Sequence, residues 1–454
     1  MVSPLFGDLP HSTEAADRAG KLDHAGSPRV ARPDRGNMAW EFVDIDQLIA
    51  ADHAVRLVAL FVQGLDLRAL YDAIKARTHG PGRDAIDPAL LLLLWLYATV
   101  EGIGSARELA RRCQRDLPYR WLCGRVGVNH HALSDFRRDN EALLDRLLTD
   151  SVTALVADGS VKLEQLAQDG MKLRASAGAS SFRQASTLAR LREEVAARIE
   201  RLRGERDAAA DASAQRKQQA AERIAGERAE RLAGAQQRMD ELQAAQAARP
   251  AKDRIDPKTG RDKPVRVSTT DPDARVMRMA AGAFRPAYNI QMGCDPSTLV
   301  VVDVALEDSG ADSGQIEPML ERIEQRYAVR PAVHLADSGF CDLSDIEAAH
   351  GRGTSVLAPS NVKKQDPAAA YAPRPKDGPG VAAWRRNMQQ AGCQLLYRMR
   401  SRAECVFAQW RLRGLQQVTV RGRGAVRCVA LLHALTHNMI CTFRLHRNAT
   451  PAAA

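Results

Sequence analysis

The chain has 454 residues and a formal net charge of +10, and its composition is that of a soluble globular protein. The length suggests two or three domains. The longest apolar run, 89–100, is too short to span a bilayer, and residues 1–36 lack the apolar segment of a signal peptide. We therefore predict no membrane association. Eight scattered cysteines without a CxxC pair indicate reduced thiols in a cytoplasmic protein.

The first part of the chain is predicted to be a disordered tail over 1–36, followed by an all-α domain over 37–150. Asp87-Pro88 is a typical helix start, and a glycine-containing turn at 127–131 leads into a basic helix with Arg137 and Arg138. Short helices joined by such a turn resemble a helix-turn-helix module, so we predict that Arg137 and Arg138 contact DNA. A helical bundle with a solvated basic face explains the same residues.

The spacing of apolar residues changes after Ser160 and predicts a short strand over 162–168 that ends at Asp169-Gly170. In residues 183–247 the apolar side chains then recur at intervals of three and four, which is typical of amphipathic helices, and a turn is predicted near 208–213. We predict a helical hairpin with its linker over 183–262, inserted into a sheet domain. Its role is open between an inert coiled-coil protrusion and a partner-binding arm.

Strands resume at 287–292 and 298–306, and a third over 332–336 ends at Asp337. Helices at 315–327 and 343–350, a strand at 355–357, an arginine-rich helix with Glu404 and an apolar helix at 425–443 complete the chain. This order is that of an α/β ribonuclease-H-like domain, which we predict over 155–182 and 263–445.

Glu404 is the only acidic residue between Arg385 and Arg427, a stretch with ten arginines. In a helix, Tyr397, Arg400, Glu404 and Arg411 would lie within an arc of about 60° on one face. Such a face is typical of a metal ligand among phosphate-binding groups, and the clustered charge indicates a polyanionic partner. The simpler interpretation is a carboxylate that forms salt bridges with its neighbours.

In a ribonuclease-H-like domain, Asp169, Asp337 and Glu404 occupy the positions at which three acids hold two divalent metals about 4 Å apart. Magnesium needs few protein carboxylates, because phosphate and water complete its coordination. Four nearby acids are discounted because they lack the strand-end context of Asp169 and Asp337: Asp303, Asp308, Asp312 and Asp342.

The chain resembles the bacterial insertion-sequence DDE transposases over about residues 40–440. The family's third-acid signature (Tyr, two residues, Arg, three, Glu, six, Lys or Arg) matches at Tyr397, Arg400, Glu404 and Arg411. The contexts of its first and second acids match at 169–175 (DGMKLRA) and 336–340 (ADSGF). Further similarity lies at 271–275, 288–291, 104–109 and 136–138.

The resemblance implies metal-dependent DNA cleavage at element ends and strand transfer into target DNA. It implies that Asp169, Asp337 and Glu404 are catalytic and bind two Mg²⁺ ions, with Mn²⁺ as a substitute, while Tyr397, Arg400 and Arg411 contact DNA. Terminal inverted repeats and target DNA are the expected partners of a homodimer or higher oligomer in the cytoplasm, at the nucleoid. The alternatives are a ribonuclease-H-like nuclease without strand transfer and a non-catalytic, DNA-binding remnant of a transposase.

Overall fold

The computed structural model describes residues 44–74, 84–208, 211–256, 259–360 and 368–449. The predicted disordered tail over 1–36 lies outside these residues. The helices within them are α1 Ala54–Gln63, α2 Arg68–Asp72, α3 Pro88–Val100, α4 Ala106–Arg115, α5 Leu117–Cys123, α6 His130–Asp139, α7 Glu141–Ala157, α8 Ala185–Asp207, α9 Ala212–Ala247, α10 Ala251–Arg254, α11 Ile316–Tyr327, α12 Leu343–Gly351, α13 Pro379–Asn387, α14 Ala391–Tyr397, α15 Ser401–Leu412 and α16 Arg423–Ala449. The strands are β1 Gln165–Arg174, β2 Phe182–Arg183, β3 Val267–Ser268, β4 Arg275–Arg278, β5 Phe284–Cys294, β6 Val301–Glu307, β7 Val333–Leu335 and β8 Ser355–Leu357.

A six-stranded mixed sheet forms the centre of the fold. Its order is β4-β5-β1-β7-β8, and β6 shares the outer edge of β5 with β4. β5 is antiparallel to β1, whereas β7 and β8 continue the sheet in parallel. This mixed α/β arrangement is consistent with a ribonuclease-H-like fold.

The strand prediction at 162–168 was wrong in its bounds, and Asp169 lies inside β1 instead of at its end. β1 pairs with β5 from Ala167 to Arg174, but it pairs with β7 from Gln165 to Ala167 only. Asp169 is therefore past the end of the parallel pairing while its strand continues against β5. The alternation of apolar and polar residues did not show that the strand continues to Arg174. β1 has neighbouring strands on both sides and is buried on both faces at its start, so its residues do not alternate there.

The N-terminal helices pack onto the sheet domain through the long helix α16. α16 contacts α3, α6 and α7 as well as β6, and α7 also contacts β6 directly. The described residues from Ile45 to Ala449 belong to one compact unit with a continuous core that includes Trp95, Leu147, Val302 and Leu431. α16 is also the one described helix that is long and apolar enough to cross a membrane, and its apolar window is 72% buried inside the fold.

Between β2 and β3 the chain forms the two long helices α8 and α9. They pack on each other through a small apolar cluster of their own that includes Leu188, Val195, Leu232 and Met239. Val267 of β3 completes this cluster. Asp211 caps the start of α9 by accepting a hydrogen bond from the Ala214 amide at 2.7 Å.

Candidate active site

The register of two neighbouring strands places Asp169 and Asp337 side by side. β1 and β7 are parallel, and Ala167 is paired with Leu335. Asp169 and Asp337 each follow that pair by two residues, so they occupy equivalent register positions on neighbouring segments of the same chain. Because side chains alternate along a strand and neighbouring strands lie about 4.8 Å apart, this register directs both carboxylates to one face of the sheet.

A backbone amide holds one oxygen of each aspartate. Asp169 Oδ1 accepts a hydrogen bond from the Gly170 amide at 2.9 Å, and Asp337 Oδ1 accepts one from the Gly339 amide at 2.7 Å. Asp337 also caps the short 3-10 turn Ser338–Phe340. Within the described residues, the second oxygen of each carboxylate has no hydrogen-bond partner, so it is available to a ligand.

Glu404 approaches this pair from α15, the helix packed against β1. The buried face of α15 consists of Ala403, Val406, Phe407 and Trp410, whose spacing fixes the rotation of the helix. Glu404 follows Ala403 directly and therefore lies at the edge of the buried face, where its side chain is 54% exposed.

Arg400 forms an ion pair with Glu404, with 2.8 Å between Nη2 and Oε1. Its guanidinium also lies 5.9 Å from the centre of the Tyr397 ring. Burial opposes the charge of Arg400, but the hydrogen bond to Glu404 and the neighbouring negative charges hold its pKa above the usual value. The predicted continuous helix over these residues is broken, since Tyr397 ends α14, Arg398–Arg400 is a 3-10 turn and α15 begins at Ser401.

The charges of Asp337 and Glu404 act on the Asp169 carboxyl group. Burial raises the pKa of Asp169 to about 7, the Gly170 amide opposes the shift, and the charges of Asp337 and Glu404 raise it further. Arg400 acts in the opposite direction. The pKa of Asp169 thus reflects a half-buried carboxyl group that has two negative charges near it and one positive charge, an arrangement that favours a cation.

The donor set suits a hard divalent cation. Carboxylate oxygens are the ligands that Mg²⁺ prefers, and a cation would relieve the repulsion that raises the pKa of Asp169. Among the described residues, no group of three His, Cys, Asp or Glu side chains is close enough together to hold a metal ion in this conformation. Glu404, which is paired with Arg400, would have to turn toward the two aspartates to join them.

Asp312 was discounted from the sequence, yet it lies beside the site. It is in the loop after β6, and its Oδ1 accepts hydrogen bonds from Asn289 Nδ2 at 2.9 Å and Gln291 Nε2 at 2.8 Å. Lys172 Nζ lies 3.7 Å from Oδ2 of the same carboxylate. Asp312 thus joins β1, β5 and the loop before α11 immediately next to Gly170.

This network accounts for several residues of the sequence motifs. Gly170 is required because a Cβ there would collide with the Asp312 carboxylate and lie 2.8 Å from Gln291 Nε2. Lys172, three residues after Asp169, forms its ion pair with Asp312. Asn289 and Gln291 are buried and donate to it. The sequence signal that could have identified Asp312 was the presence of two amide side chains, Asn289 and Gln291, in the otherwise apolar predicted strand over 287–292. Buried amides need acceptors, and an acid in a later loop can supply one.

Arg137 and Arg138 differ in position. Arg137 is 5% exposed, its guanidinium lies 4.2 Å from the centre of the Trp95 ring, and it donates to the Gly104 carbonyl. These contacts give Arg137 a structural role in this conformation, and its predicted DNA contact stays a prediction. Arg138 is exposed and pairs with Asp135 and Asp139.

Two family models match the chain. A transposase domain (DUF772) matches residues 43–139, and a transposase DDE domain matches residues 262–439. Together they span more than half of the sequence, and the chain belongs to the insertion-sequence DDE transposases. Asp337 and Glu404 lie within the second match, whereas Asp169 precedes it. No curated protein and no solved structure matches the chain.

Proposed function

We propose that this transposase cleaves DNA at the ends of its own element and joins the freed 3′ hydroxyl to target DNA. The observation that carries the proposal is the register of β1 and β7, which aligns Asp169 with Asp337 beneath the helix of Glu404. Family membership supports DNA as the substrate.

Asp169, Asp337 and Glu404 would hold two Mg²⁺ ions, for which Mn²⁺ can substitute. When bound, such ions activate the attacking oxygen and stabilise the leaving oxygen. Arg400 restrains Glu404 until the site is loaded, because the two side chains are paired at 2.8 Å. Once released from Glu404, the guanidinium of Arg400 can hold a phosphate beside the scissile bond, with the Tyr397 ring behind it.

In the first step, a water oxygen attacks the phosphodiester and the bond to the 3′ oxygen breaks, which leaves a 3′ hydroxyl. In the second, that hydroxyl attacks a target phosphodiester, and the target's own 3′ oxygen leaves.

Arg411 and Arg138 are proposed DNA contacts. We further propose that the N-terminal helices recognise the terminal inverted repeats, that a homodimer or higher oligomer pairs two ends, and that the protein works in the cytoplasm at the nucleoid.

The test is a strand-transfer assay with the repeats that flank the gene, a supercoiled target plasmid and Mg²⁺. We expect both nicked ends and joined products. Cleavage without joining would instead identify a nuclease. Binding to end-bearing DNA without cleavage would identify a non-catalytic remnant.

Metal affinity should depend on pH through Asp169. With a pKa of about 7, Asp169 is mainly protonated below neutrality, and a metal ion must displace that proton. We expect Mn²⁺ affinity to fall by up to about tenfold per unit below pH 7 and to level off above it. Calorimetric titration from pH 5.5 to 8 measures this, and a flat profile in wild-type protein would contradict it.

The same proton affects folding in the opposite sense. The pKa of Asp169 is raised from an ordinary value of 3.8, so the folded state binds more protons than the unfolded state between 3.8 and about 7. The metal-free protein should therefore lose stability as pH rises through this window. Asp169→Asn, which does not titrate, should abolish this part of the pH dependence of Tm in EDTA.

Arg137 and Arg138 should respond differently to replacement by alanine. Arg137→Ala removes a buried cation–π contact and a hydrogen bond, so we expect the free energy of unfolding to fall by about 2–4 kcal/mol. Arg138→Ala should change it by about 0.5 kcal/mol or less, because its ion pairs are exposed. If Arg138 contacts a phosphate, its loss should lower the salt dependence of DNA binding by about one unit of slope. Chemical denaturation and anisotropy titrations measure both quantities.

A further inference from the structure

A basic pocket lies next to the candidate active site, on the side where β1 ends. It has a volume of about 850 Å³ and is formed by the second half of β1, the β4–β5 hairpin and the end of α15. Its five cationic lining residues are Lys172, Arg174, Arg278, Arg285 and Arg411. Gly170, adjacent to Asp169, also lines it, so the pocket begins one residue from the first acid.

Of the five cationic residues, Lys172 is paired with Asp312, but the other four have no such partner among the described residues. The pocket lining contains no acidic residue, and Arg174, Arg278, Arg285 and Arg411 are exposed with no described carboxylate at ion-pair distance. In the β4–β5 hairpin Arg278 is paired with Phe284 and Arg285 with Met277, so the two arginines lie on neighbouring strands one register position apart. Both line the pocket. Like charges that line one pocket repel one another, so the pocket is suited to an anion with several charges.

The remaining lining is largely apolar. Met279, Ala280, Ala281 and Ala283 line the pocket from the β4–β5 hairpin, and the buried side chains of Met171 and Leu415 line it from the core. A nucleotide combines the two properties, since its phosphate suits the arginines and its base suits an apolar surface. The volume is in the range of small-ligand pockets, which accommodates one or two nucleotides but not a duplex.

We propose that the basic pocket binds a single DNA strand beside the scissile phosphate, with its backbone on the arginines and an unpaired base against the methionine and alanine side chains. The proposal rests on the proposed function for the identity of the polymer. Arg411 is on the same helix as Glu404, and Lys172 is on the same strand as Asp169, so a strand leaving the carboxylates enters the pocket directly.

The test measures binding without chemistry. A fluorescein-labelled decathymidylate is titrated with the full chain in EDTA at several salt concentrations, and anisotropy is recorded. Arg278→Glu/Arg285→Glu should weaken binding at least tenfold. If the two arginines meet two phosphates, the slope of log affinity against log salt should fall by about 1.4. Ala281→Trp, which fills the pocket without changing its charge, should also weaken binding.

The matched control is Arg201→Glu/Arg228→Glu, which makes the same charge change at exposed positions of α8 and α9. It should retain at least half of the wild-type affinity. The proposal is overturned if the control loses as much affinity as the pocket variants, if both pocket variants bind like wild type, or if an unlabelled blunt duplex competes as well as the single strand. Because no cleavage is required, these outcomes are independent of the strand-transfer assay.

Discussion

Asp169→Asn is expected to abolish DNA cleavage and strand transfer while DNA binding persists. The substitution keeps the shape of the side chain but removes its ability to carry a negative charge near Asp337 and Glu404. Because the proposed metals supply several kcal/mol of transition-state stabilisation, losing a ligand should slow cleavage by about a thousandfold or more. Asp337→Asn and Glu404→Gln should have the same effect, and the rate of nicking of end-bearing DNA in Mg²⁺ is the measurement.

The control for this series is Asp150→Asn, at an exposed position of α7 outside the site. It should cleave at the wild-type rate. If the three site variants cleave as fast as Asp150→Asn, the carboxylates are structural and the proposed mechanism is wrong. The three losses should not add, since the acids act on the same metals and removing a second ligand leaves little activity to lose.

Much of the sheet was predictable because its strands and helices alternate in the chain. The predicted strand at 355–357 coincides with β8, and the predicted helix at 315–327 differs from α11 by one residue. Asp337 was identifiable since it follows a short buried strand and precedes a glycine turn. Local periodicity and turn chemistry determine these features, so they can be read from a single sequence.

Features that depend on residues distant in the chain were not predictable in this way. Arg137 is buried because Trp95, on another helix, covers its guanidinium, and nothing beside Arg137 in sequence indicates that.

The similarity at 271–275 and 288–291 also has a tertiary explanation. Tyr288 donates to Asp271 Oδ1 at 2.7 Å, and the Gly422 amide donates to the same oxygen at 3.0 Å. Asp271 therefore links β5 to the start of α16.

Gly170→Ala is the second substitution with a large expected effect. A methyl group there meets the Asp312 carboxylate, which cannot move easily because Asn289, Gln291 and Lys172 hold it. Overpacking of this kind typically costs about 1–3 kcal/mol of unfolding free energy. Since Asp169 is the adjacent residue, a shift of about 1 Å should also slow cleavage by about a hundredfold.

A double-mutant cycle separates this collision from a general loss of stability. Asp312→Ala removes the obstacle but also removes the acceptor of Gln291 Nε2 and one of the two acceptors of Asn289 Nδ2, so it is destabilising by itself. In the double variant the alanine at 170 no longer meets the carboxylate, and only the contact with Gln291 Nε2 remains. The two single costs should therefore sum to more than the measured loss by about 1 kcal/mol or more. Gly204→Ala, in α8 with open space around it, should be neutral or stabilising. Strict additivity in the cycle would show that Asp312 does not enforce glycine beside the first catalytic acid.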